Sequence, residues 1–198
     1  MTRLAVYAAS LVAFVAATAM TFASIATPTW VSYTVTSREG STFWRTLGLH
    51  KSCSSLADPT CRPFPAEGDC GASSSRFCAM WRTTAFLMSL AAVVELATLV
   101  GYLVVLTGSG GRRQREKGWR VLGALLVVVA IVQLAAISLV GYLFDHDDQF
   151  LVPGWRLDTS WILSTVSASV ALLCAAGLAV SVLVLPPEGG YELVGDGA

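Results

Sequence analysis

Four apolar runs, 4–26, 84–108, 121–144 and 161–185, set the terms for any fold of this chain. A helix needs about 20 predominantly apolar residues to cross the hydrocarbon core of a bilayer. In lipid, backbone polar groups must be satisfied within the spanning structure, which leaves helices and closed barrels as the spanning forms. The runs therefore predict four transmembrane helices. Of the 198 residues, 55% are hydrophobic and 13% charged, with a mean hydropathy of +0.65, whereas a soluble domain carries about 25% charged residues. Thirteen basic and thirteen acidic residues cancel, so no global field favours nucleic acid. The connecting segments leave no room for a separate soluble catalytic domain. The expected fold class is an α-helical membrane protein, a four-transmembrane-helix bundle with a small extracellular antiparallel β-sheet, forming one membrane domain.

The first run begins after Arg3 and ends on Ser24-Ile25-Ala26, which resembles a signal-peptide cleavage site. Its apolar stretch exceeds the about 7–15 residues of a signal, so it reads as a span. Ala9, Ala13, Ala16, Ala17 and Ala23 allow close helix approach, and serve equally on a plain lipid-facing surface. Orientation comes from segment 109–120, where Arg112, Arg113, Arg115, Lys117 and Arg120 mark a cytoplasmic connector. Segment 145–160 holds Asp145, Asp147, Asp148 and Asp158 against Arg156 alone and is read as the short outer loop, with both termini inside.

Polar residues inside the spans are costly in hydrocarbon and normally face a partner. Glu95 lies near the middle of the second run and Gln133 near the middle of the third. The two helices are antiparallel neighbours, so the pair is predicted to hydrogen-bond, with Glu95 protonated or shared with water. Structural glue is the first reading and an ion or proton path the second. The fourth run offers Ser164, Ser167, Ser169 and the small residues Ala175, Ala176, Gly177 and Ala179 for helix packing, while Cys174 reads as a small apolar residue. Pro186-Pro187 ends that helix, and within the cytoplasmic tail 186–198 the short acidic stretch Glu188 to Ala198 is expected to be disordered.

The longest connection, 27–83, carries the chemistry. Trp30 to Thr36 alternates, with Val31, Tyr33 and Val35 on one side, and reads as a strand. Arg38 to Ser41 supplies a turn, and Thr42 to His50 returns as the antiparallel partner. Cys53, Cys61, Cys70 and Cys78 in one such loop imply an oxidising compartment and two disulfides, for which three connectivities are open. Equal spacing favours sequential pairing. Zinc is the weaker alternative because no close Cys-x₂-Cys pair is present.

Pro28-x-Trp30, Gly48-Leu49, Cys53 and Cys61, with Arg82 at the start of the second span, resemble the signature of the claudin and peripheral-myelin/epithelial-membrane-protein superfamily. The four spans and unequal outer loops extend the likeness over nearly the whole chain. The resemblance implies a Cys53–Cys61 bridge, a Trp30 that anchors the sheet to the bundle, an Arg82 that tethers the loop to the second helix, and a last strand donated by the second outer loop. His50 stands where the signature has the tryptophan of Gly-Leu-Trp, Cys70 and Cys78 are additional, and the C-terminus lacks the hydrophobic last residue that PDZ modules bind. The chain has no Asn and so no N-glycosylation site. More distant four-span relatives, such as fungal PalI-like and eisosome-associated membrane proteins, share the plan.

No run places a nucleophile beside a base, so no enzyme, cofactor or metal is expected. His146 among Asp145, Asp147 and Asp148 offers divalent-cation ligands but reads first as a solvated acidic turn. The expected role is a non-enzymatic protein, multi-pass in the plasma membrane, that organises membrane or cell-surface contacts through its outer sheet. The lipid bilayer and further copies of the chain or other membrane proteins are its expected partners. The alternatives are a cation channel or transporter, an accessory subunit of one, or a signalling subunit.

Overall fold

A computed structural model describes residues 3–38, 40–66, 69–70, 75–107 and 112–184, with the backbone alone for 3, 4 and 112–117. The 186–198 tail, Glu39 of the expected turn and the side chains of Arg112, Arg113, Arg115 and Lys117 lie outside the described residues.

Four long helices form: α1 (Arg3–Ala26), α2 (Ser75–Thr107), α3 (Arg112–His146) and α4 (Thr159–Val184). Each contains a stretch long and apolar enough to cross a membrane. α1 and α4 follow their apolar runs closely. α2 starts at Ser75 rather than Thr84, and α3 at Arg112 rather than Val121, so the polar connections are shorter than the sequence suggests. Apolarity marks only the part of a helix that suits lipid; the helix continues wherever backbone propensity and packing sustain it. At 1.5 Å per residue, α2 and α3 each extend about 50 Å, well beyond the about 30 Å of a hydrocarbon core. The helices pack in a ring, α1 against α2 and α4, and α3 against the same two.

A five-stranded antiparallel sheet caps one end: β1 (Val31–Thr36), β2 (Thr42–Leu47), β3 (Lys51–Ser54), β4 (Cys61–Pro63) and β5 (Trp155–Leu157), ordered β4-β3-β2-β1-β5. β1 and β2 pair from Val31 with Leu47 to Thr36 with Thr42, closed by a turn in which Gly40 takes a φ of 81°. Alternation assigns the two faces of β1 but not burial. Val31 and Ser32 are both buried while Thr34, Val35 and Thr36 are exposed, because depth follows distance from the helices rather than side-chain parity. β5, from the α3–α4 connection, pairs with the other edge of β1.

Among the described residues the core has two apolar clusters. One lies where sheet meets helices, around Trp30, Leu49, Phe64, Phe77, Trp81 and Phe150. The other lies toward the far end, around Phe14, Tyr102, Leu126 and Leu178. A layer of buried polar side chains falls between them.

Candidate functional site

Two constructions stand out, the sheet-to-helix joint and the polar layer. Trp30 is fully buried and its indole Nε1 donates to the Ser24 carbonyl in the last turn of α1 (2.8 Å). Its backbone N–H bonds Leu47 O (2.9 Å) and its carbonyl accepts from Asp158 N (3.1 Å). One residue thus ties α1 to β2 and to the segment that leads into α4.

The second tie is Trp81 on the extension of α2, whose Nε1 donates to Gly48 O at 3.1 Å. Arg82, to which the resemblance assigns the tether, is exposed and makes no hydrogen bond or ion pair among the described residues. The physical reason is helical: successive residues lie about 100° apart, so burying Trp81 against the sheet turns Arg82 toward the outside. Gly48 is required by space, since a Cβ there would lie 2.5 Å from Pro28 Cα and 3.0 Å from Lys51 O. Leu49, beside it, is buried in the aromatic cluster.

Disulfides join Cys53 to Cys61 and Cys70 to Cys78. The first links directly paired residues of β3 and β4. The second fastens the loop to the first turns of α2, because Cys78 lies on that helix. An Arg62–Asp69 ion pair of 2.7 Å connects β4 to the second bridge, and Asp69 also accepts from Ala66 N (3.1 Å). On the other edge, Arg156 Nε donates to Ser32 Oγ (3.1 Å). Burial on its own raises the carboxyl of Asp158, but hydrogen bonds from Ser32 and from the backbone and hydroxyl of Thr159, with Arg156 nearby, hold it below the ordinary carboxylate range.

The second construction joins all four helices. Gln133 Nε2 donates to Glu95 Oε1 (2.8 Å), the contact anticipated between α2 and α3. The structure adds Thr21 of α1, whose hydroxyl donates to Glu95 Oε1 (2.8 Å) and receives Gln133 Nε2 (2.8 Å), and Ser167 of α4, 2.8 Å from Thr21 Oγ1. Glu95 and Gln133 have no solvent exposure. Thr21 carries no mark in the sequence and Ser167 reads there only as a helix-packing residue, because each lies nearer its run's end than Glu95 does. Helix stagger brings them level. A hydroxyl ladder continues between α1 and α4, with Ser164 to Ser24 (3.0 Å) and Ser160 to Thr27 (2.7 Å). Ser169, predicted with these, instead faces outward and bonds its own helix at Thr165 O.

The acidic connection holds no group of three metal-ligating side chains among the described residues. His146 Nδ1 is 3.1 Å from Tyr142 O and its ring stacks on Tyr142, while Asp147 caps the short 3-10 turn 148–150. Cys174 is buried beside Ser10 O. No protein-family model matches the chain, and comparison with curated proteins finds no match.

Proposed function

We propose that the chain is a non-enzymatic, multi-pass membrane protein that organises membrane or cell-surface contacts through its sheet and associates laterally through its helices. The observation that carries this is a sheet fastened to the helix ends by two tryptophans and a disulfide, which still leaves an aromatic side chain on its free surface. Trp44 is 37% exposed and shares its face with Thr34, its partner across the strands, and with the pair Thr36 and Thr42. Leu56, 76% exposed, follows Ser55, whose N–H bonds Trp44 O at 3.0 Å. An aromatic and an aliphatic group on a rigid support suit the centre of a contact surface.

The orientation is argued from charge and redox chemistry. The basic residues of 112–120 fall in the first turns of α3, at the end away from the sheet, which favours a cytoplasmic position for that end. Two disulfides at the sheet suit an oxidising exterior. Lateral association draws support from α1, where Ala9, Ala13, Ala16 and Ala23 are exposed and only Ala17 of the five predicted alanines is buried; small outward residues let a second helix approach closely. The claudin-like resemblance points to the same class, in the plasma membrane.

The test uses tagged full-length protein in its own cell. Replacing Trp44 by Ala together with Leu56 by Ser is expected to leave surface abundance unchanged while abolishing contact-restricted staining and the cross-linked neighbours. An unchanged set of neighbours would reject the sheet as the contact surface, and a cation conductance from purified protein in a planar bilayer would move the function to a channel.

A further inference from the structure

The polar layer is short of hydrogens. Its side chains bring four, one on each hydroxyl of Thr21 and Ser167 and two on Gln133 Nε2. Ser167 Oγ donates to Ala17 O at 3.0 Å, Thr21 Oγ1 to Glu95 Oε1, and Gln133 Nε2 to Glu95 Oε1 and Thr21 Oγ1. With the Thr21–Ser167 contact, the short approaches outnumber the hydrogens available. None reaches Glu95 Oε2 or Gln133 Oε1, two fully buried acceptors left without a donor.

A buried polar atom without a partner is costly, and a buried carboxylate with no opposite charge is more so. No Lys, Arg or His occurs in the four apolar runs. The groups facing Glu95 from α1, α3 and α4 are Thr21, Gln133 and Ser167, none of which titrates. Among the described residues, the other titratable side chains buried among the helices, Tyr7, Tyr102 and Cys174, belong to the far-end cluster. The missing component is therefore one positive charge that is also a hydrogen-bond donor.

We propose that this layer is a proton-binding site, in which Glu95 Oε2 carries a hydrogen and donates it to Gln133 Oε1. A single proton satisfies both orphaned oxygens and removes the only charge in the four apolar runs. A hard metal cation fits less well, because it takes about six to eight oxygen ligands and finds two unclaimed ones here. The site links all four helices through one acid–amide pair, independently of what the sheet binds.

Infrared spectroscopy of the purified full-length chain in neutral potassium buffer reads the proton directly. The wild type is expected to show the carbonyl stretch of a protonated carboxylic acid, shifting on transfer to deuterated water and absent from Glu95→Gln. That variant keeps the fold, since its amide N–H replaces the acid O–H toward Gln133. Gln133→Leu removes the acceptor and is expected to move the band to higher wavenumber; should Gln133→Leu not fold, the deuterium shift and Glu95→Gln decide alone. Absence of the band in wild type, or its persistence in Glu95→Gln, would overturn the proposal. So would its conversion to a carboxylate band when sodium replaces potassium, which would assign the site to a metal cation.

Discussion

Replacing Gly48 by Ala should separate the sheet from the helices more effectively than any other single methyl group. The new Cβ would lie 2.5 Å from Pro28 Cα, 3.0 Å from Lys51 O and 3.1 Å from Pro28 Cβ, and because two of these are backbone atoms no rotamer change relieves the clash. Restoring ordinary contact needs a backbone shift of nearly an ångström, in a place where Gly48 N–H bonds Lys51 O (2.8 Å) and Gly48 O receives Trp81 Nε1. Overpacking of this kind costs about 1–3 kcal/mol, and losing the Trp81 hydrogen bond adds about 0.5–1.5 kcal/mol. Burying the methyl returns at most about 0.8 kcal/mol. The net expectation is a destabilisation of about 1–4 kcal/mol. Denaturant unfolding in detergent, followed by tryptophan fluorescence, measures it. Gly123→Ala is the control: nothing lies within 4 Å of its Cβ, and in a helix interior Ala is better than Gly by about 1 kcal/mol. Trp81→Phe removes the donor without the clash, so its effect should combine non-additively with that of Gly48→Ala. A Gly48→Ala protein within about 0.5 kcal/mol of wild type, or no worse than Gly123→Ala, would refute the reasoning.

Two further outcomes follow from the joint. Exchanging Cys70 and Cys78 together for Ser should lower stability by about 2–3 kcal/mol and free the loop from α2, detected as faster proteolysis between β4 and α2; equal protease resistance with and without the bridge would contradict its fastening role. Asp158 has its carboxyl held below the ordinary range, so its contribution is present above the unfolded value of about 3.9 and is lost as pH falls through the lower folded value. Asp158→Asn should therefore flatten the loss of stability in acid below about pH 4, as followed by thermal unfolding against pH, while leaving the profile above pH 6 parallel to wild type.

The candidate sites were unevenly legible in the chain. Glu95 and Gln133 declared themselves because a charged or amide side chain is conspicuous in an apolar run, and antiparallel helices joined by a short connection bring their midpoints level. Thr21 did not, and Ser167 reads only as a helix-packing residue, since a hydroxyl in a span can bond its own helix and carries no sign of a partner elsewhere. Trp81 was masked by its neighbour Arg82: the family pattern drew attention to the charge, whereas the indole makes the bond. Gly48 was visible only as a member of a motif, and its steric need arises from Pro28, twenty residues away.

By itself the sequence determined four helices, a β1–β2 hairpin and a cysteine-rich connection, because hydropathy over about 20 residues, period-two alternation and turn chemistry are properties of neighbouring residues. The tertiary structure alone decided how far α2 and α3 run past their apolar segments and which face of α1 turns outward. It also decided that four polar side chains from four helices meet in one layer with two oxygens left over. These depend on helix stagger, rotation and long-range contact, which no local pattern encodes.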